Sequence, residues 1–406
     1  MLEKLERIRK YFSNYIKVIK FNLRYKKLNK LSIEDIADSL ILVTDNREGV
    51  SAGPKHIHKK QYILSYPIVD IKLYYLENVF CNMNSSSFVT QDIKRIFIEE
   101  FPYISCKQAD YSSGFLFKHD SEDAYIKNIK IDEVKIIKNA LFLGGNGSFN
   151  FYHWMIEIAP KLLLLDNKLL KKNKINKILI NEYVIKNDNY NQILNKYAKH
   201  LIDIEFIFIN QNKLVFVEEL YFINTFNHTV YNYKEIPQNY QVTTIYNQKI
   251  LGKMRSCLSN NIKTRKAEAN KKIFILRNED TVSEYNDRRY NQCEVFSFFK
   301  NQGFIGVYPD KLTIDEQISI FKFANFIVGP SGASWSNLIF CTEGTKAISW
   351  IPESLEYFDT YSSLAYLNNI DMRFIKYEVE GNNIHQPYNI EVNSLINLYK
   401  NMLEVF

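Results

Sequence analysis

The C-terminal third of the chain alternates apolar runs with helical patterns, and this alternation constrains the fold more than any other feature. From residue 271 the order is strand KKIFILR, helix NQCEVFSFFKNQG, strand FIGVYP, helix TIDEQISIFKFAN, strand FIVGP, short helix SWSNLIF and strand TKAISWI. Strands separated by helices favour a parallel sheet with right-handed crossovers. The pattern predicts an α/β fold here, with Thr313 and Glu316 forming a capping box.

The rest of the chain predicts at least one further folded unit. Residues 40–145 alternate short β-rich runs with polar loops, and an α/β pattern begins at Gly144. A length of 406 residues favours two domains. The predicted divisions are a basic amphipathic helix at 1–30, an N-terminal α/β domain at 31–240, a helix and linker at 241–270, a Rossmann-like C-terminal domain at 271–385, and a C-terminal helix at 386–406 that could return to the N-terminal domain.

Charge and cysteine use indicate where the protein works. The formal net charge is +7, and the first 30 residues are rich in Lys and Arg. An apolar stripe in that segment suits either an anionic membrane surface or packing on the chain's own domain, and the rest of the chain lacks the basic pattern of a nucleic-acid-binding protein. No run of about 20 apolar residues occurs. Five scattered cysteines without a C-x-x-C pair predict a cytoplasmic protein without a structural zinc.

Arginines and a small-residue loop follow the predicted C-terminal strands. Ligands of open parallel sheets bind beyond the carboxyl ends of the strands. Arg277 ends the first strand, and Arg288 and Arg289 follow it. Guanidinium groups bind two phosphate oxygens at once, although a single loop arginine is more often merely solvated. The loop Gly329–Asn337 supplies backbone N–H groups at a helix start, which suits phosphate or sugar hydroxyls, or simply close packing of helix and sheet.

A histidine and a carboxylate share one helix face in the sequence GGNGSFNFYHWMIEIAPKLLLL. His153 and Glu157 are four residues apart and so lie one turn from each other. Such a pair suits general base catalysis, and the alternative is a structural histidine on a buried helix. Pro160 should kink or end the helix. No third ligand stands at metal-site spacing, so we expect no metal.

Three stretches in this order resemble glycosyltransferase family 61. GSFNFYHWMIEIAPKLLLL is similar to the family's Asn, His-Trp and acidic helix motif, and ILRNEDTVSEYNDRRYNQCEVFSFFKNQGF to its arginine segment. TIDEQISIFKFANFIVGPSGASWSNLIF is similar to its Glu-Gln helix and Gly-Ala and Asn loop. The resemblance spans about residues 140–352. Ser331 stands where the family often has His, and Asn291-Gln292 where it often has Asn-Glu.

The resemblance implies a GT-B-like architecture of two Rossmann-like domains facing each other across a cleft. It also implies an inverting mechanism, usually without a bound metal, and we expect no cofactor. Inversion needs one base to deprotonate the acceptor hydroxyl, and His153 and Glu157 are our candidate catalytic pair. The nucleotide-sugar side would comprise Arg277, Arg288, Arg289, Asn291, Glu316, Gln317, Ser331, Gly332, Ala333 and Asn337. The acceptor-side loop would comprise Asn146, Ser148 and Asn150.

The expected reaction moves a sugar from a nucleotide donor to a hydroxyl of a glycan or lipid-linked glycan. We expect the donor to be UDP-linked. The resemblance suggests a role in bacterial capsule or lipopolysaccharide synthesis. From the cysteines and the basic N-terminal segment we expect a cytoplasmic protein that residues 1–30 could hold on the inner face of the membrane. Two alternatives stay open: a catalytically silent glycan-binding or assembly subunit with the same fold, and a glycan-phosphate transferase.

Overall fold

The protein has a mixed α/β fold with several sheets. The computed structural model describes residues 24–57, 59–101, 109–129, 134–229, 242–260, 262, 271–278, 287–379 and 384–404. The strands up to the first candidate site are β1 Tyr25–Ser32, β2 Ser39–Val43, β3 Glu48–Ala52, β4 Lys55–His56, β5 Ile63–Pro67, β6 Ile71–Asn82, β7 Phe88–Thr90, β8 Arg95–Ile98, β9 Leu116–His119, β10 Asp123–Lys127 and β11 Lys135–Leu143. A short 3-10 helix lies at Ile33–Asp35.

The N-terminal basic segment corrects one prediction. Residues 1–23, which hold most of the predicted helix, lie outside the described residues. Residues 25–30 form strand β1 instead of helix, so the predicted helix is wrong there. β1 pairs parallel with β8 and antiparallel with β10, and the ring of Tyr25 stacks on Phe117 at 4.0 Å. Sheet neighbours on both sides outweigh the helical spacing of the apolar residues.

The larger sheet carries the first candidate site. Its remaining strands are β12 Lys177–Asn181, β13 Glu205–Ile209 and β14 Leu214–Ile223. The strand order is β13-β12-β11-β14-β6-β7-β8-β1-β10-β9, with β2 also paired to β6. β11 to β14 are mutually parallel where they pair, and β6 runs antiparallel to β14. The strands expected at residues 177–180 and in IEFIFIN and KLVFVEELYFI are therefore confirmed.

The long strand β6 bends at Asn78, whose φ is 53°. Tyr74 and Leu76 before the bend and Val79 and Cys81 after it pack in the same core, so the alternation of inward side chains shifts by one residue. Asparagine tolerates positive φ better than most residues. The loop after β6 lies beside the turn after β11, where Gly145 N donates to the Met83 carbonyl at 3.0 Å.

Helices pack on the larger sheet and between it and the C-terminal sheet. They comprise a π-helix at His153–Ile158, a 3-10 helix at Ala159–Leu164, and α-helices at Asn167–Lys172, Asp188–Ala198 and Gln248–Ser259. One continuous core contains Trp154 and Ile180 from the N-terminal part, Met254 from the last of these helices, and Trp335 from the C-terminal part. Two short strands, β15 His228–Thr229 and β16 Thr244–Ile245, pair antiparallel beside this core.

The C-terminal part confirms the predicted strand and helix alternation. Its strands are β17 Lys271–Ile275, β18 Phe304–Val307, β19 Ala324–Val328, β20 Lys346–Pro352 and β21 Asp371–Tyr377, and its helices are Gln292–Asn301, Pro309–Lys311, Ile314–Phe323, Ala333–Phe340, Glu353–Leu355, Thr360–Leu367 and Val392–Glu404. The sheet order is β18-β17-β19-β20-β21-β4, and all of these pairings are parallel. The capping box of Thr313 and Glu316 is present.

One strand crosses the predicted division of the chain, whereas the last helix stays with the C-terminal part. Strand β4, from the N-terminal part, adds to the edge of the C-terminal sheet beside Arg373 and Phe374. The last helix packs on that same sheet, where Leu398 and Tyr399 share a core with Phe326 and Trp350. The sequence left open a return of this helix to the N-terminal domain, but its buried residues Leu395, Leu398, Tyr399 and Met402 pack in the core of the C-terminal sheet instead. Within the described ranges, no helix has both the length and the apolar character needed to span a bilayer.

Candidate active site

The turn after β11 leads directly into the helix that carries the histidine and carboxylate. Residues 153–158 form a π-helix that tightens to a 3-10 helix at Ala159, next to Pro160. Short π-helical stretches are frequent at functional sites. Nδ1 of His153 lies 2.8 Å from Oε2 of Glu157, and both side chains are buried. The predicted adjacency of the pair and the break at Pro160 are confirmed.

Glu157 is held as a carboxylate by its surroundings. Burial raises its pKa, but His153 and His228 outweigh that effect and lower the pKa to about 2. The backbone N–H of Thr229 donates to Oε1 at 2.7 Å, and Nδ1 of His228 lies 3.7 Å from Oε2. An ionised carboxylate accepts only, so Nδ1 of His153 donates to it and Nε2 carries the lone pair. A carboxylate with so low a pKa is a weak base, whereas the imidazole Nε2 can accept a proton.

The other edge of the His153 ring faces a tyrosine and a glycine. The hydroxyl of Tyr111 lies 3.4 Å from Nε2. Gly147 has φ of 79°, and a Cβ added there would lie 2.6 Å from Cδ2 of His153 and 2.8 Å from a ring carbon of Tyr111. The backbone conformation and the close approach of the imidazole both require glycine at this position.

The predicted acceptor-side loop is occupied by internal hydrogen bonds. Ser148 is fully buried and donates to the Met83 carbonyl at 2.8 Å, and Asn181 Nδ2 donates to its hydroxyl at 2.7 Å. Asn146 accepts from the Tyr111 backbone N–H at 2.9 Å, and Asn150 accepts from that of Tyr152 at 2.9 Å. These bonds fix the turn that precedes His153, so the three side chains support the site.

Arg277 reaches the small-residue loop of the C-terminal sheet. Its Nη2 donates to the Ser331 carbonyl at 3.2 Å, and its backbone is held by Gln292 at 2.7 and 3.1 Å. Its Nε is buried and, within the described part of the chain, has no hydrogen-bond partner. Burial and then the nearby charge of Arg288 lower the pKa of its guanidinium. An anion placed here would satisfy the orphaned donor and offset the repulsion between the two arginines.

The structure separates Arg289 from Arg277 and Arg288. Arg289 forms a bidentate ion pair with Asp287 at 2.6 and 2.7 Å, and its side chain is 54% exposed. Asn291 also turns away from the loop, since its amide donates to Glu294 at 2.8 Å and to the Ile390 carbonyl at 3.0 Å. The structure therefore brings Arg277, Arg288 and Ser331 together but leaves Arg289 and Asn291 in other contacts.

The loop at 329–337 is open at its tip and braced at its base. A Cβ at Gly332 would meet nothing within 4 Å, and Ser331 and Ala333 are half-buried. Beneath them Asn337 Nδ2 donates to Gln317 Oε1 at 3.0 Å, while Asn337 Oδ1 is buried without a partner among the described residues. Glu316 is exposed and bonds the Thr313 cap at 2.9 Å. Gln317 and Asn337 thus support the loop from behind, whereas Glu316 caps its own helix.

Several residues of the site have no distinguishing pattern in the sequence. They are Tyr111, Tyr152, His228, Thr229 and Tyr246. Tyr152 hydroxyl lies 2.9 Å from Thr229 Oγ1 and 2.5 Å from the Tyr246 hydroxyl. Tyr152 directly precedes His153, but the other four come from loops and short strands far along the chain from the pair, so spacing along the chain does not connect them with it. In the described ranges, no three His, Cys, Asp or Glu side chains are grouped as metal ligands would be.

Comparisons with known proteins give one specific match. No curated protein matches the chain. Two solved structures are weakly similar, each at 10% identity: a phosphoglycerate oxidoreductase from Vibrio cholerae O395, covering 67% of this chain and 100% of that chain with a TM-score of 0.18, and the dodecameric iron-containing heptosyltransferase TibC in complex with ADP-D-β-D-heptose, covering 86% and 83% with a TM-score of 0.23. These TM-scores are too low to support any inference about fold or function.

The sequence model described as Glycosyltransferase 61 matches residues 151–348, just under half of the chain. The matched region begins two residues before His153 and contains Glu157, Arg277 and the loop at 329–337. It therefore contains the catalytic pair and the nucleotide-side residues, and begins just after the acceptor-side loop Asn146, Ser148 and Asn150. Residues 151–348 belong to glycosyltransferase family 61, and the chain is a glycosyltransferase.

Proposed function

We propose that the protein transfers a sugar, with inversion and without a metal ion, from a nucleotide donor to a hydroxyl of a surface polysaccharide precursor. One observation carries the donor half of this proposal: the buried Nε of Arg277 has no hydrogen-bond partner among the described residues, and the guanidinium lies against the Ser331 loop. A buried guanidinium with an unused donor suits an anionic ligand. The diphosphate of a nucleotide sugar, UDP-linked by our expectation, is that ligand.

On the donor side, Arg277 and Arg288 would bind the diphosphate and stabilise the negative charge that builds on it as the sugar leaves. The open tip at Gly332 lets backbone N–H groups approach the phosphate oxygens without hindrance from a side chain. Fixed cations and amide dipoles directed at a departing group commonly supply the largest share of catalysis. Arg289 takes no part in this proposal, because its guanidinium is committed to Asp287.

On the acceptor side, His153 would act as the general base. The acceptor hydroxyl gives its proton to Nε2 while its oxygen forms a bond to the anomeric carbon. The bond from that carbon to the diphosphate breaks, and the electron pair leaves with the nucleoside diphosphate. One displacement of this kind inverts the anomeric centre. Oε2 of Glu157, 2.8 Å from Nδ1 of His153, accepts the Nδ1–H hydrogen bond. Its negative charge stabilises the imidazolium that forms. The Tyr111 hydroxyl marks the side from which the acceptor approaches Nε2.

We further propose a GT-B-like arrangement with the acceptor bound by the N-terminal part and the donor by the C-terminal part. In support, each part has its own sheet with parallel strands, and the candidate groups follow the carboxyl ends of β11 and β17. The proposed acceptor is a glycan or lipid-linked glycan that serves as a precursor of bacterial capsule or lipopolysaccharide. The proposed location is the cytoplasm, in keeping with the free cysteines Cys81, Cys257, Cys293 and Cys341.

The test is a panel of UDP-, ADP-, GDP-, CMP- and dTDP-sugars incubated with the purified chain in EDTA and analysed by mass spectrometry for released nucleotide and transferred sugar. We expect turnover of one donor class that persists in EDTA and gives an inverted anomeric product. Activity that disappears in EDTA and returns with Mn²⁺ would overturn the metal-independent mechanism. Binding of a nucleotide without turnover of any donor would favour a glycan-binding or assembly subunit instead.

A further inference from the structure

A buried cluster of threonine hydroxyls connects the catalytic pair with the C-terminal part of the chain. The hydroxyl of Thr229 lies 3.1 Å from that of Thr244 and 3.3 Å from that of Thr360, which is itself 2.9 Å from Thr244. All three side chains are at least 97% buried. Because buried hydroxyls need partners, the three side chains fix each other's positions.

Tyrosines extend this cluster on both sides. The Tyr246 hydroxyl donates to the Thr360 carbonyl at 3.1 Å and lies 2.5 Å from the Tyr152 hydroxyl. Tyr152 immediately precedes His153 and is also 2.9 Å from the Thr229 hydroxyl. The network therefore begins in the helix Thr360–Leu367 and reaches the start of the π-helix that carries the base.

The position of Thr229 matters because its backbone N–H donates to Oε1 of Glu157 at 2.7 Å. Thr229 lies in the two-residue strand β15, which pairs only with the two-residue strand β16 among the described residues. So short a ladder is marginally stable by itself. The side-chain hydroxyls must therefore contribute much of what holds this N–H in place.

The other end of the network is firmly anchored. Asp359, immediately before Thr360, is fully buried and accepts hydrogen bonds from the hydroxyls of Ser51 and Thr243 and from the Thr243 backbone N–H at 3.1 Å. Segments from three distant parts of the chain thus meet at the first turn of the helix Thr360–Leu367. A displacement of this helix would be passed to Thr229 through the threonine hydroxyls.

We infer that Thr360 and Tyr246 are positioning residues for catalysis: they hold the Thr229 N–H on Glu157, and Glu157 in turn orients the imidazole of His153. This inference rests on the proposed function of His153 as base. It makes the geometry of the base depend on contact between the C-terminal part, which holds Thr360, and the N-terminal part, which holds the base. Neither positioning residue needs to touch donor or acceptor.

The test compares Thr360→Val, Thr360→Ser and Tyr246→Phe with a matched control, Ser363→Ala. Ser363 lies in the same helix and is equally buried, but its hydroxyl bonds the Ala52 backbone instead of Thr229. We expect Thr360→Val and Tyr246→Phe to lower kcat about five- to tenfold with the donor KM within twofold, since each removes a hydroxyl that makes two network hydrogen bonds. Thr360→Ser should restore kcat, and Ser363→Ala should match the parent once corrected for folded fraction.

A readout without substrate separates this inference from the proposed function. In protein labelled with ¹⁵N-histidine, the His153 Nδ1 resonance reports its hydrogen bond to Glu157, and a His153→Ala sample assigns it. We expect Thr360→Val to move this resonance and Ser363→Ala to leave it in place. A His153 resonance and kcat that are both unchanged in Thr360→Val would overturn the positioning role. A shifted resonance in a protein that turns over no donor would contradict the proposed function alone.

Discussion

Nδ1 of His153 lies 2.8 Å from Oε2 of Glu157, one turn further along a π-helix. The second oxygen of that carboxylate accepts from the Thr229 backbone N–H. Both oxygens are therefore occupied, and the imidazole is fixed with Nε2 directed towards Tyr111. A fixed tautomer with the outer nitrogen unprotonated is the arrangement that a general base requires.

Replacing either member of this pair should remove most of the turnover. We expect His153→Ala to lower kcat at least a hundredfold, because proton transfer from the acceptor hydroxyl loses its base. Glu157→Gln should lower kcat about tenfold or more, because the imidazolium loses its stabilising charge. Initial rates with the best donor of the panel measure both effects. Near-parent rates in His153→Ala with intact folding would contradict the assignment of the base.

Arg277 and Arg289, which the sequence could not distinguish, should respond differently to substitution. Arg277→Ala is expected to reduce kcat/KM about a hundredfold, since it removes a buried cation at the proposed diphosphate site. Arg289→Ala is its matched control and should stay within threefold of the parent, because that guanidinium is exposed and bound to Asp287. Steady-state kinetics and calorimetric titration with UDP compare the two. Equal losses in both variants would refute the site as the structure shows it.

The acid stability of the protein should depend on Glu157. Its pKa is about 2 in the folded protein against an ordinary value of 4.5, so its ionisation stabilises the fold above pH 4.5, and this contribution is lost as the pH falls towards 2. We expect the free energy of unfolding to fall by about 2–3 kcal/mol across this window because of Glu157. Denaturant titrations at pH 5 and pH 3 should show a shallower fall in Glu157→Gln than in the parent. The exposed Glu122→Gln should keep the parent's slope.

The strand and helix order of the C-terminal part was predictable because each element is marked by its own residues. The apolar runs at β17 to β20 are separated by helices with clear starts, such as the Thr313 cap. Segment 25–30 was not predictable in the same way, since its strand forms by pairing with β8 and β10, which lie far along the chain. Local periodicity cannot report such non-local partners.

The candidate site shows the same limit at the level of side chains. His153 and Glu157 share one helix, so their spacing predicts their contact. His228 and Thr229 reach Glu157 from a short strand after β14, and no spacing rule connects position 157 with 229. Arg289 was predicted at the phosphate site because a sequence shows the cation but not that Asp287, two residues earlier, would bind it.

Gly147 should be among the least replaceable residues of the turn before the base. A Cβ there meets the His153 and Tyr111 rings, and φ is 79°, so Gly147→Ala should destabilise the fold by about 2–4 kcal/mol and reduce activity. Gly252→Ala is the matched control: it lies exposed in the helix Gln248–Ser259 with nothing within 4 Å, and alanine should stabilise it by about 0.5–1 kcal/mol. Thermal unfolding midpoints should therefore move in opposite directions.

Asp110, the residue before Tyr111, should make the fold less stable as the pH rises. Burial raises the pKa of its carboxyl from 3.8 to about 7, although its contacts with Ser85 and the Leu116 backbone N–H at 2.7 Å oppose this. A raised folded-state pKa favours the protonated form, so stability is lost between about pH 4 and pH 7 as the buried group ionises. Asp110→Asn keeps the shape of the side chain, can still accept from Leu116, and carries no charge.

We expect Asp110→Asn to raise the free energy of unfolding at pH 8 by about 2–4 kcal/mol and to change it little at pH 4.5. Denaturant titrations at the two pH values measure the difference, and the exposed Asp38→Asn serves as the control with no pH-dependent gain. The gain at pH 8 must come from removing an unfavourable buried charge, because the amide adds no apolar contact. A gain of equal size at both pH values would show instead that the amide improves hydrogen bonding or packing, and that the carboxyl is not ionised at a cost in the native protein.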